Sequence, residues 1–226
     1  MMRPSNSSLR SIGLMLTAFA ALAVPVAVSH GQTAPSRDDI VSKLSGFETG
    51  PDLDIAALKQ KISDRSKMRG KNEPEPSKRP LIVPELKDLP TFTVSIDFDS
   101  DTPVVRPSSY QTVGRIADAM VHASLLPYSF LIVGHTDSNG RREANVPLSQ
   151  RRADAIRDSL VNTFKISSKR VQSLGLGEEQ FIDQAHPNSP ANLQIQIVTI
   201  AKLPEQEPTA QPTAASKPTK KSAKKR

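Results

Sequence analysis

The twenty residues from Gly134 to Ala153, GHTDSNGRREANVPLSQRRA, concentrate the polar chemistry of this chain. Asp137 stands in the turn-forming run HTDSNG, and Arg152 stands on the helical run that follows. A carboxylate accepts hydrogen bonds from an ammonium group. A guanidinium grips a carboxylate through two parallel hydrogen bonds. Facing one cleft, the two side chains could hold a zwitterion. The same spacing also allows them to pair with each other or with solvent.

The neighbouring polar residues have plainer readings. His135 reads as a hydrogen-bonding surface residue beside a turn. Thr136 braces the turn or donates to a ligand through its backbone N–H. Asn145 is either an N-cap or a ligand contact. Ser149 reads as local capping. LGLGEE supplies one GxG without a third glycine or a helix start, which argues against a nucleotide loop. Asp97, Asp99 and Asp101 alternate in IDFDSD, but no central Gly or closing Glu completes a calcium loop, so they read as solvated carboxylates.

The elements that must position these residues lie between about 91 and 203. TFTVSIDF alternates Phe92, Val94, Ile96 and Phe98, the pattern of a half-buried strand. In RPSSYQTVGRIADAMVHA, Ser108 and Gln111 form a capping-box pattern, and Tyr110, Val113, Ile116, Ala117 and Met120 share one helical face. SFLIVGH is a short apolar strand, LSQRRADAIRDSLVNTF a second helix, KRVQSLGLG a third strand and LQIQIVTI a fourth. The order β-α-β-α-β-β predicts an α/β (α+β) sandwich, a mixed four-stranded sheet with helices packed on one face. The strand Phe130 to Val133 ends at Gly134, so HTDSNG falls at a carboxyl end, where ligands sit in such sheets. The following helix is expected to start near Asn145 to Leu148, with Pro147 in its first turn. Wound at about 100° per residue, Leu148, Ala153, Ile156, Leu160 and Phe164 form its buried stripe. Arg152 flanks that stripe, about 40° from Ile156, in the turns nearest the Asp137 loop.

The flanks read differently. Arg3 and Arg10 precede the apolar run Ile12 to Val28, and small residues follow, which predicts a cleaved signal peptide over 1–31. That run is shorter than the roughly 20 residues a membrane span needs. Residues 32–66 predict two short, weak helices that are marginal or dock on the main domain. Ser36 and Asp39 cap the first, and Ile55, Leu58 and Ile62 line the second. Residues 67–90 are rich in Pro and charge and read as an extended linker. The tail 204–226 is polar and disordered by composition. It carries Lys217, Lys220, Lys221, Lys224, Lys225 and Arg226, most of the formal net charge of +7. The chain has no cysteine, which excludes disulfides, thiol nucleophiles, Cys-ligated metals and a lipid-modified N-terminal Cys.

GHTD, Asn145 eight residues after its Asp, LSxxRA and GLGEE together resemble the OmpA-like peptidoglycan-binding domain family. The resemblance covers roughly residues 91–201. It implies a secreted, non-catalytic module that binds the peptide stem of peptidoglycan at diaminopimelate. Asp137 corresponds to the family's key Asp, Arg152 to its key Arg, and Asn145 to the Asn that shapes the pocket. Thr136 and Leu148 lie in the same motifs and complete the candidate set. One departure stands out. Where the family carries an N-R-R run before its last strand, this chain reads Asn192, Leu193, Gln194.

Other functions have fewer parts. His30, His122, His135 and His186 are the only histidines, and no HExxH or Ser-His-Asp arrangement is legible, so no enzyme activity, metal or other cofactor is expected. The basic tail suggests contact with anionic lipid or lipopolysaccharide rather than nucleic acid. An outer-membrane barrel needs about eight strands of roughly ten residues, more than the stretch before the domain supplies. The expected place is the periplasm, at the wall or in association with the outer membrane. The alternative is an OmpA-like scaffold without wall binding that acts as an interaction module through its tail.

Overall fold

The computed structural model describes residues 34–68 and 74–204. The signal-peptide expectation and the basic tail beyond Pro204 lie outside them. Four helices are formed: α1 (Arg37–Leu44), α2 (Ile55–Lys67), α3 (Tyr110–Met120) and α4 (Arg142–Asp158). Four strands, β1 (Thr91–Val94), β2 (Tyr128–His135), β3 (Val171–Gly177) and β4 (Ile195–Lys202), make one sheet in the order β1-β4-β2-β3. β4 runs antiparallel to β1 and β2, and β2 runs parallel to β3. β1, β2 and β3 therefore point the same way, and the loops that follow all three leave the same end of the sheet.

The mixed sheet agrees with the sequence expectation. On one face, Phe130, Ile132, Ile195 and Ile197 meet Val113, Ile116 and Met120 of α3, Ala153 and Ile156 of α4, and Ile40 and Leu44 of α1. The other face is covered as well, which the alternation in β4 did not suggest. Leu131, Val133, Leu174, Val198 and Ile200 pack against Ile55 and Ile62 of α2 and against Ile82, Val83 and Leu86. Successive side chains of a strand point to opposite faces, so β2 is apolar at every central position because both its faces are buried. The apolar residues between 82 and 86, within the stretch expected to be a linker, supply part of this second layer.

Local chemistry explains the N-terminal helices. Ser36 caps α1 by accepting from the Asp39 N–H at 3.1 Å, while its hydroxyl donates to the Asp39 carboxylate at 2.6 Å. Asp54 caps α2 through the Ala57 N–H. In α3 the expected capping box does not form. Ser108 donates instead to the Asp97 carboxylate, Ser109 accepts from the Asp97 N–H, and Tyr110 is exposed. These bonds tie the β1–α3 loop to its own helix start.

α4 begins at Arg142, earlier than expected, which puts Pro147 inside the helix. Proline removes one intrahelical hydrogen bond there. Close packing on the sheet offsets that loss. A Cβ on Gly134 would sit 2.3 Å from the Ser149 carbonyl, and one on Gly175 would sit 2.2 Å from the Gln150 nitrogen. Only glycine lets the helix backbone approach the strands so closely. Gln150 and Ser149 then accept from the Gly175 and Gly177 N–H groups, each at 2.8 Å. α4 thus satisfies edge-strand donors of β3 while its N-terminal half is fixed beside the loop that follows β2. Phe164, expected on the buried stripe, is 38% exposed, because the last helical turn widens at Ser159–Thr163 and runs past the sheet.

Candidate functional site

Asp137 follows β2, and Arg152 lies in the middle of α4. The loop after β1, parallel to β2, closes over the same end. Arg152 donates from Nε to the Thr102 carbonyl at 3.2 Å, and its guanidinium carbon lies 5.0 Å from the centre of the Phe98 ring. Among the described residues this is its one hydrogen bond, so both terminal nitrogens remain for a ligand. Burial lowers the Arg152 pKa below the ordinary guanidinium value, and the nearby carboxylates of Asp101 and Asp137 oppose that shift. Among the described residues no carboxylate pairs directly with Arg152. Asp101 and Asp137 therefore act on Arg152 as nearby charges rather than as direct partners.

The Asp137 carboxylate is shaped by its own turn. It accepts from the Asn139 N–H at 3.1 Å and from Asn139 Nδ2 at 2.6 Å. Each carboxylate oxygen has a second lone pair, so acceptor capacity remains. Gly140 takes a φ of +88°, the left-handed region that ends the turn. Ser138 anchors the loop from outside: its N–H donates to the Pro187 carbonyl at 3.1 Å and its hydroxyl donates to Asn188.

The other sequence candidates divide. Asn145 is neither a plain N-cap nor directed at open space. It lies in the first turns of α4 with a buried side chain, and Nδ2 reaches the carbonyls of Asp137 (3.4 Å) and Asn139 (3.1 Å) and the Glu178 carboxylate (2.8 Å). It is a brace for the Asp137 loop. The backbone N–H of Thr136 is engaged with the Gly177 carbonyl at 3.0 Å, so it cannot donate to a ligand as one reading had it. Its buried hydroxyl has no hydrogen-bond partner among the described residues. Leu148 is half-buried on α4, one turn before Arg152.

His135 is not on the surface. It is 2% exposed, with Nδ1 at 2.8 Å from the Gln180 carbonyl and Nε2 at 3.1 Å from Gln196 Oε1. Burial lowers its pKa, which the two hydrogen bonds partly oppose. It links the end of β2 to β4 and to the loop after β3.

Several contributors were missed in the sequence. Phe98 was legible only as the end of an alternating strand. Asp101 was read only as a solvated carboxylate and Thr102 gave no signal, since only the parallel run of β1 and β2 brings their loop to Arg152. Glu178 and Glu179 stood inside the GLGEE motif with no assigned role, yet both are buried. Arg142 grips Glu179 through Nε to Oε1 and Nη2 to Oε2 (2.7 Å), and Arg65 of α2 reaches the same carboxylate at 3.2 Å. Asn192, first residue of the departure from N-R-R, is fully buried. It donates to the carbonyls of Asp183, His186 and Pro187 and accepts from the Asp183 N–H. It therefore shapes the loop that holds Ser138. Leu193 is 40% exposed and Gln194 half-buried.

Comparison with known proteins finds a partial match. Residues 97–193 match the model of the OmpA family. Over 97 residues the chain is 35% identical to outer membrane porin F of Pseudomonas aeruginosa, covering 43% of this chain and 27% of that protein. Over 93 residues it is 34% identical to the peptidoglycan-associated lipoprotein of Brucella melitensis, covering 39% of this chain and 54% of that protein. The chain thus matches between a quarter and about half of these relatives' length. Among solved structures, the cell wall anchor of the T6SS from P. aeruginosa aligns at 25% identity over 50% of this chain and 81% of that one, with a TM-score of 0.41.

Proposed function

Because residues 97–193 match the model of the OmpA family, we propose that this chain is a non-catalytic peptidoglycan-binding module of the periplasm. It contacts the wall through the diaminopimelate of the stem peptide. The Asp137 carboxylate receives the ammonium of that residue, and the two terminal nitrogens of Arg152 receive its carboxylate. Leu148 lines the approach, Thr136 lies buried beneath the loop's start, and Asn145 holds the loop. The observation that supports this reading is that the one hydrogen bond of Arg152 among the described residues runs from Nε to the Thr102 carbonyl, while the Asp137 carboxylate is near enough to act on its charge. A zwitterion supplies an opposite charge to each at once.

The histidines support a non-catalytic role. His135 is held on both ring nitrogens, His186 binds Asp183, and His122 accepts from the Ser124 N–H. None of these three stands beside a nucleophilic side chain in those contacts. The affinity of one site is modest. Charge-assisted hydrogen bonds contribute roughly 1.5–3 kcal/mol each, so a few of them in an open cleft give binding no tighter than about micromolar. A polymer that repeats the ligand compensates by multivalency.

The test is co-sedimentation of the full chain with isolated peptidoglycan sacculi, with free diaminopimelate as competitor. Wild type is expected to pellet and to be released by competitor. Asp137→Ala and Arg152→Ala are expected to stay in the supernatant while keeping the wild-type melting temperature. Retention of both variants would remove the clamp. No retention of folded wild type would favour the scaffold reading, with the Leu193 and Gln194 departure as its cause.

A further inference from the structure

The N-terminal segment reaches the candidate site through a continuous chain of side chains. α2 and the residues after it are fastened to one another: Lys61 donates to the Ile82 carbonyl at 3.0 Å and Arg65 to the Pro80 carbonyl at 2.8 Å. The segment is then fastened to the loop after β3. The Val83 N–H donates to Gln180 Oε1 at 3.0 Å, and Gln184 Nε2 donates to the Arg79 carbonyl at 2.9 Å. Arg79 Nη1 meets Glu178 Oε1 at 3.4 Å, with both side chains largely buried. The other oxygen of Glu178 accepts from Asn145 Nδ2, and the same amide group holds the carbonyls of Asp137 and Asn139.

We propose that Arg79 and Glu178 are positioning residues for the binding loop, so that the docked N-terminal segment sets the geometry of residues 137–139. The chemistry is specific. A buried carboxylate with one oxygen on Asn145 needs a cation on the other, or it withdraws toward water. Arg79 supplies that cation from outside the domain that carries the site. Glu178 then stays where the Asn145 amide can donate to it and keep the loop carbonyls turned inward. A loop held before the ligand arrives loses less entropy on binding. The inference rests on the reading of Asp137 as a ligand contact, although the positioning itself does not.

The experiment uses the full chain with Arg79→Ala, Arg79→Lys and Glu178→Gln, and it has two readouts. The first is amide hydrogen exchange at Ser138 and Asn139, compared with Ile132 and Val198 in the sheet. The second is apparent affinity for sacculi. Losing one such tether is expected to speed exchange of the two loop amides in Arg79→Ala by roughly fivefold, with the sheet amides unchanged, and to weaken binding by a similar factor. Arg79→Lys restores the charge and is expected to recover most of both. Glu178→Gln keeps an acceptor for Asn145 but loses the ion pair, and is expected to fall between. Loop exchange at the wild-type rate in both Arg79→Ala and Glu178→Gln would overturn the proposal. So would a rise shared equally by the sheet, which would mean that Arg79 serves stability alone. If wild type itself fails to bind sacculi, the functional reading falls, and the exchange data still decide whether Arg79 positions the loop.

Discussion

A guanidinium that commits its Nε to a backbone carbonyl keeps two coplanar nitrogens for a planar anion. Arg152 is in that state, seated on Phe98 and hydrogen-bonded to Thr102. Lysine carries the charge but neither the fork nor the flat face that stacks on a ring. Arg152→Lys is therefore expected to weaken sacculus binding by about tenfold or more, read from pelleting curves. His135 gives a different prediction. Burial holds its folded-state pKa below the ordinary 6.5, so below pH 6.5 the unfolded chain binds a proton that the folded chain does not. Stability from this group is fully present above pH 6.5 and is lost as pH falls, by about 1.4 kcal/mol per unit until the folded value is reached. Urea midpoints between pH 7.5 and 5.5 are expected to drop in wild type. His135→Asn is expected to lack that component of the slope.

In the proposed reading the central element is α4, because it carries the candidate residues Asn145, Leu148 and Arg152 and is placed by glycines rather than by its apolar stripe alone. Gly134 and Gly175 let its backbone touch β2 and β3, and Ser149 and Gln150 bond the edge of β3. A methyl group at 175 would force the helix away from the strand, since the obstructing atom is backbone and cannot rotate aside. Gly175→Ala is expected to cost about 1–3 kcal/mol, the usual penalty of overpacking. It is also expected to weaken sacculus binding beyond what lower stability explains, because Arg152 moves with the helix. Chemical denaturation paired with pelleting of the folded fraction separates the two effects. The GLG run thus has a mechanical reason: the backbone of a neighbouring helix occupies the space of its Cβ atoms.

At the scale of the whole molecule, both faces of the sheet are buried, and the second face depends on residues before β1. Ile62 of α2 is completely buried against it. Ile62→Ala is expected to cost about 2–5 kcal/mol, lowering the single unfolding midpoint of the full chain rather than producing a separate early transition. Two distinct transitions would mean that the N-terminal segment folds apart from the sheet. Among the described residues, no helix is long and apolar enough to cross a membrane.

Local signals in the sequence determined the elements of this protein. Alternation in LQIQIVTI, the apolar run in SFLIVGH, the cap at Ser36 and the 3.6-residue stripe through Ala153, Ile156 and Leu160 each depend on neighbours within a few positions, so one chain suffices to read them. The closeness of the Asp137 turn to α4 was also legible, because turn and helix adjoin in sequence and Asn145 bonds the turn. Tertiary structure alone decided the rest. Asp101 and Thr102 reach Arg152 because β1 and β2 run parallel with β4 between them, a pairing that no local pattern encodes. Pro147 sits inside α4 because close helix–strand packing outweighs the single hydrogen bond that proline removes. His135 is buried because β2 is covered on both faces. The acids of GLGEE became structural because Arg65, Arg79 and Arg142 meet them from three separate stretches of chain, and a carboxylate is stable in the interior only where cations and donors converge on it.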